Sequence, residues 1–196
     1  RDFSSWGAIA LTTGMRRQLP LSIDMHKVPY AQQKQIIWHA IGQLPRRCGG
    51  AMDATGSGEP LAEETADKFG HTHVHQIKLN RAWYGTWMPK LVQGFEDGMI
   101  DIPADPDIAG DLRAIEEVDG IAMVSKVRRE DVKDPELYRH GDSAVMLCLG
   151  WFASLNLSGA IDYIPVPALP RGFDNLTADG DQDDDHLGLA EHGATW

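Results

Sequence analysis

Cysteine is scarce in this chain: Cys48 and Cys148 are the only two among 196 residues. They lie far apart in apolar-looking settings and read as buried free thiols, which suits a reducing compartment and excludes a disulfide framework. Long apolar runs are missing as well. No stretch reaches the roughly 18 residues that would suggest a membrane span, and the opening "RDFSSWGAIALTTGMRR" has no basic region ahead of its short apolar run. It does not read as a secretory leader. A nucleotide loop is lacking too. In "TGSGEP", Gly58 is followed by Glu59 and Pro60, where a Walker-type loop needs Lys and then Ser or Thr. A Rossmann fingerprint fails there for want of its third glycine. The glycines serve instead to let the chain turn sharply beneath Asp53.

Positive charge is also in deficit, with a formal net charge of -11, but the excess is uneven. Seven of the acids fall after Pro170, against the single base Arg171, which leaves the rest of the chain at -5. Residues 1–169 therefore read as one mildly acidic domain, long enough to bury a full core. Residues 170–196 read as an acidic, solvated tail, and its "DGDQDDDH" lacks the central glycine and final Glu of a calcium loop.

What is present is an alternation of strand and helix patterns. "WGAIALT" and "LSIDMHKV" predict a β-hairpin, and "PYAQQKQIIWHAIGQL" predicts a helix with Pro29 at its start. "GAMD" predicts a short strand, and "EPLAEETADKFG" a helix closed by Gly70. "HTHVHQIKL" predicts a strand and Arg81 to Phe95 a helix. A short extended piece and another helix follow within Asp97–Val118, then a strand or hairpin in "GIAMVSKVRRED". The apolar run beginning at Ser143 predicts a buried helix. This order implies an α/β fold with a mixed sheet.

Two carboxylates stand out. Asp53 ends a predicted strand, and the carboxyl ends of strands in open α/β sheets are where ligands bind. Asp142 opens the buried helix, beside His140 and Gly141. Each also has an ordinary explanation: Asp53 can bond its own turn, and Asp142 can cap its helix. Paired carboxylates that share divalent cations equip two-metal phosphodiester hydrolysis, and oxygen ligands select Mg²⁺ or Mn²⁺. His71, His73 and His75 have period two, which could present three imidazoles on one strand face, although a solvated polar face is the preferred reading. Lys126, Arg128 and Arg129 form one basic cluster and Arg46 with Arg47 another; either could line a phosphate track.

Taken in order and spacing, "MDATGSGEPLAEETADKFG", "FEDGMIDIPADPDIAGDLRAIEEV" and "RHGDSAVMLCLGWFA" resemble the C-terminal nuclease domain of phage terminase large subunits, with the Mu-like phage family nearest. The resemblance runs from about Asp2 to Leu155. It implies a ribonuclease H-like α/β fold, a central mixed sheet flanked by helices, and metal-dependent endonucleolytic cutting of double-stranded viral DNA during packaging in the host cytoplasm. It matches Asp53 and Asp142 to the family's second and third acids, as ligands of Mg²⁺ or Mn²⁺ in a two-metal site, and makes His140 an auxiliary group. The family's first acid belongs to a strand that usually precedes an "RD-S" stretch like "RDFSS", so the resemblance implies that this strand is missing or unresolved here and the domain truncated at its first strand. Asp2 is the remaining candidate for lining the site. The implied partners are DNA, an ATPase motor domain, the portal and the small terminase subunit. The alternative is a catalytically incomplete module of the same fold that binds DNA or the portal.

Overall fold

A computed structural model describes residues 3–125 and 127–156, all within one compact unit. Asp2, Lys126 and the acidic tail lie outside the described residues. The chain opens with an antiparallel hairpin, β1 (Phe3–Leu11) and β2 (Arg17–His26), in register from Phe3 opposite His26 to Leu11 opposite Arg17, with an irregularity between Ala8 and Ala10. The expected hairpin is present, and both strands start earlier than their apolar pattern suggests. Helix α1 (Tyr30–Gln43) follows, entered through Pro29.

Next comes a β-α-β unit. Strand β3 (Gly50–Asp53) leads through one 3₁₀ turn, Gly56–Gly58, into α2 (Glu59–Phe69), and the chain returns as β4 (Val74–Ile77), parallel to β3. Gly70, at φ 102°, closes α2 as expected. Cys48, in the loop before β3, is exposed; only Cys148 is the buried thiol that the sequence suggests for both. The Cys48 thiol lies 3.8 Å from the Arg46 carbonyl oxygen.

Helix α3 (Arg81–Glu96) is capped by the Asn80 side chain. Strand β5 (Ile100–Asp101) then adds in parallel to β2, making a mixed three-stranded sheet ordered β1-β2-β5. Helix α4 (Pro106–Arg113) is capped by Asp105, which accepts from the Asp107 and Ile108 amides. It is shorter than the pattern to Val118 implies. Residues Ile115–Val118 form β6 and pair antiparallel with β7 (Ile121–Val124). Two short strands, β8 (Arg129–Glu130) and β9 (Tyr138–Arg139), make a further hairpin before α5 (Asp142–Leu155).

Helix α5 is the centre of the molecule, as an all-round apolar helix should be. Its Leu147, Cys148 and Trp151 join Leu19, Met88, Leu91, Ile100 and Ile108 in the core. Burying each such side chain contributes about 1.5–3 kcal/mol. Strand β1 lies close against α5: a Cβ on Gly150 would meet the tip of the Ile9 side chain, which would have to turn aside. Strand β3 also packs on α5, yet β3 and β1 are not hydrogen-bonded to each other. The β-structure is thus divided into small sheets, and a cleft of about 1440 Å³ separates β1 from β3 above α5. No helix among the described residues is long and apolar enough to cross a membrane.

Candidate functional site

The cleft collects the two carboxylates that the sequence singles out. Asp53 is the last residue of β3, at the carboxyl end of a parallel strand pair, and it lines the cleft. The ladder continues one residue past it, because the Ala54 amide donates to the Ile77 carbonyl at 2.7 Å. The Asp53 Oδ1 accepts from the Thr55 amide at 2.8 Å, so the ordinary turn-bonding role is also real. Thr55 Oγ1 in turn accepts from the Leu79 amide at 2.8 Å, tying this loop to the end of β4. Gly58 folds back so tightly that a Cβ there would lie 2.5 Å from the Asp53 carbonyl oxygen. The glycine-rich loop serves a sharp turn into α2, as its lack of a phosphate-loop Lys implies.

Asp142 enters the same cleft from the start of α5. It does not cap the helix: the cap position belongs to Gly141, at φ 75° and ψ 31°, a left-handed conformation suited to glycine. A Cβ at Gly141 would also collide with Val124. The capping hydrogen bond comes from another element. Asp111 of α4 presents Oδ2 to the Ser143 amide at 3.2 Å. Asp142 is thereby released from that task, and its Oδ2 is buried without a hydrogen-bond partner. Burial pushes its carboxyl up to about 6; the nearby Asp111 charge adds to this, while the His140 amide and ring and Arg139 oppose it.

A buried, unpartnered carboxylate oxygen is costly unless a cation or donor meets it. Asp142 Oδ2 therefore fits a divalent ion, and oxygen donors suit Mg²⁺ or Mn²⁺. Asp53 supplies the second carboxylate of the cleft. Among the described residues no group of three or more His, Cys, Asp or Glu side chains is placed to hold a metal ion. His140 stands two residues before Asp142 and supports its ionised form. Asp2 lies outside the described residues.

The three histidines are not gathered. Gly70–His73 make a turn, so His71 and His73 precede β4, and only His75 lies on the strand. His71 pairs with Asp67 at 2.9 Å, whereas His75 contacts the Asn156 carbonyl at 3.0 Å and the edge of Phe152. Sequence reasoning missed Tyr84, which also lines the cleft from the first turn of α3. Burial, then the charges of Asp53, Cys148 and Asp142, push its phenol up to about 12. Near neutral pH it is a neutral O–H donor beside both carboxylates. Its position within "RAWYGTW" gave only the aromatic pattern of a packed helix.

Of the two basic clusters, Arg46 and Arg47 line this same cleft, and Arg47 lies over the Phe69 ring. Arg129 is engaged elsewhere, paired with Asp107 at 3.3 Å and Asp111 at 3.0 Å.

With this geometry the sequence can be set beside known proteins. The chain is 39% identical over 166 residues to the Mu-like prophage FluMu protein gp28 of Haemophilus influenzae, covering 85% of this chain and 32% of that protein. It is 35% identical over 185 residues to the probable terminase, large subunit gp28, of Escherichia phage Mu, covering 94% of this chain and 33% of that protein. The chain belongs to the terminase large subunit family. It spans about a third of the length of these gp28 relatives. No family model matches it, and no solved structure does.

Proposed function

We propose that this terminase-family chain is a divalent-metal-dependent endonuclease module that cuts double-stranded viral DNA during genome packaging. The observation that carries the reading is the Asp142 carboxylate, buried with one oxygen unpartnered, in the cleft that also holds Asp53. When bound, Mg²⁺ or Mn²⁺ supplies activated water and charge stabilisation for phosphodiester hydrolysis. The chain's own residues do the rest. Asp53 and Asp142 hold the ion or ions, His140 favours the ionised Asp142 carboxyl against its burial, and Tyr84 offers a neutral donor to a phosphate oxygen. Arg46 and Arg47 are the phosphate contacts nearest the cleft, favoured over the Arg128–Arg129 cluster because Arg129 is held in ion pairs.

A ribonuclease H-like fold belongs to the same reading. It is supported by the antiparallel hairpin, the parallel β-α-β unit that follows, and the buried helix behind both. The relatives' remaining length accommodates the ATPase motor of such a protein, and the partners of the whole are the portal and small terminase subunit, in the host cytoplasm. The test is nicking of supercoiled plasmid in Mg²⁺ or Mn²⁺. Asp53→Asn and Asp142→Asn are each expected to reduce it below detection while circular dichroism shows an intact fold. Full nicking by both variants would overturn the reading.

One observation favours a second reading, a DNA- or portal-binding module without complete chemistry. The described residues bring together two carboxylates and no third metal-ligating side chain. Calorimetric titration decides between them, because the incomplete module would take up no Mn²⁺ at millimolar concentration.

A further inference from the structure

Arg139 is 2% exposed and lies three residues before Asp142. Its guanidinium reaches four groups. Nε and Nη2 donate to the Asp111 carboxylate at 2.9–3.1 Å, Nη1 to Asp131 at 3.0 Å, and Nη2 to Ser143 Oγ at 3.0 Å. Nη2 also pairs with Asp24 of β2 at 2.9 Å. Asp111, 1% exposed, uses both oxygens: Oδ1 takes Arg129 and Arg139, and Oδ2 takes Arg139 and the Ser143 amide. Two of these bonds meet Ser143, at its amide and at its hydroxyl. Together the bonds fix the segment before Gly141, the residue after Asp142 and the start of the helix. Asp142 itself receives none of the network's side-chain donors.

We propose that Asp111 and Arg139 are positioning residues for Asp142, the Asp111 carboxylate capping α5 in its place so that the Asp142 carboxylate stays turned into the cleft. The idea rests on the metal-site reading for its functional meaning and on the hydrogen-bond geometry for its structural content. If Asp111 no longer meets the start of α5, the exposed amides there can draw the Asp142 carboxylate back onto its own helix and out of the cleft. Partners that orient a ligand in this way affect metal affinity without touching the metal.

The test compares Asp111→Asn with Asp107→Asn in the full chain. Asp107 sits on the same helix and is equally buried, but its Oδ1 meets Arg129 and the Val132 amide, its Oδ2 faces the Lys133 ammonium at 4.0 Å, and it has no bond to α5. Calorimetry with MnCl₂ should show a dissociation constant raised roughly ten- to hundredfold in Asp111→Asn and unchanged in Asp107→Asn, with thermal melts recording the stability of both. Equal weakening by both variants, or wild-type affinity in Asp111→Asn, would overturn the proposal. Should Asp111→Asn not fold, Arg139→Lys replaces it, since lysine retains the charge but lacks the planar fork by which Nε and Nη2 both donate to Asp111. If the wild type itself takes up no Mn²⁺, the metal reading fails, and amide exchange at Ser143 decides the positioning. Protection lost in Asp111→Asn and kept in Asp107→Asn supports it; equal protection in both overturns it.

Discussion

Asp111 and Asp142 are two acidic side chains at the N-terminus of one helix, and they are treated oppositely. Every oxygen of Asp111 is matched by arginine or backbone donors, and these hold its carboxyl below the usual carboxylate range in spite of burial. Asp142 keeps one buried oxygen without a partner, and its carboxyl is pushed up to about 6. A buried charge that is fully paired is a structural element. One left unpaired where donors are close by is a cost to the fold, and such costs mark sites where a ligand is expected.

The largest effect should come from breaking the paired side. Arg139→Met leaves Asp131 buried without its arginine and Asp111 with Arg129 alone, and removing one partner of a buried pair costs about 3–5 kcal/mol. Against the roughly 5–15 kcal/mol of an ordinary domain, this removes a large share of the total stability. A urea melt monitored by tryptophan fluorescence should show the midpoint collapse. A loss under about 1 kcal/mol would mean that the network is solvated and that the contrast with Asp142 is unfounded.

The unpaired side predicts a gain. Asp142→Asn should stabilise the metal-free protein at pH 7 by about 1–3 kcal/mol, since a tenfold change in proton affinity corresponds to about 1.4 kcal/mol and Asp142 is not wholly sequestered. The sign follows from linkage. A carboxyl raised from 3.8 to about 6 binds its proton more tightly in the folded state, so stability falls as pH rises across that window. Asp142→Asn should remove this fall. Asp111 and Asp131 act in the opposite direction: their lowered values give stability that is present above the unfolded value and lost as pH drops below about 4. Thermal melts of the wild type and Asp142→Asn from pH 3 to 8 separate the two contributions. Parallel curves would show that Asp142 titrates normally.

That contrast is only half legible in the sequence. Asp53 and Asp142 can be found because they stand at the borders of strongly patterned elements, a strand end before glycines and an apolar helix start. The hairpin, α1, α2, α3 and α5 follow from apolar periodicity in the same way. Asp111 and Arg139 are invisible there, being 28 residues apart and of a type that usually reads as solvated surface. Strand β7 falls within the expected "GIAMVSKVRRED", but its partner β6 is hidden because Ile115 and Val118 have helical spacing. The better signal is the dipeptide Asp119-Gly120, both residues at positive φ, which is the two-residue turn of a tight hairpin. The histidine triplet fails for a related reason: period two means one face only if the strand includes all three residues, and the turn after Gly70 removes two of them.

The smallest expected effect concerns Tyr84, and it probes the cleft without disturbing either carboxylate. With its phenol pushed up to about 12, Tyr84 stays protonated near neutral pH and can serve there neither as an anionic metal ligand nor as a base. Tyr84→Phe keeps the ring against Trp83, so stability should change by no more than about 1 kcal/mol. Mn²⁺ affinity should hold within about threefold, because the ion is assigned to Asp53 and Asp142 and oxygen-rich sites take their affinity from charged ligands. Plasmid nicking should fall by roughly tenfold, the worth of one lost donor to a developing charge at the low end of such effects. Loss of metal binding in Tyr84→Phe would show that the two carboxylates do not hold the ion by themselves, and the division between a paired structural acid and an unpaired binding acid would have to be redrawn around the phenol.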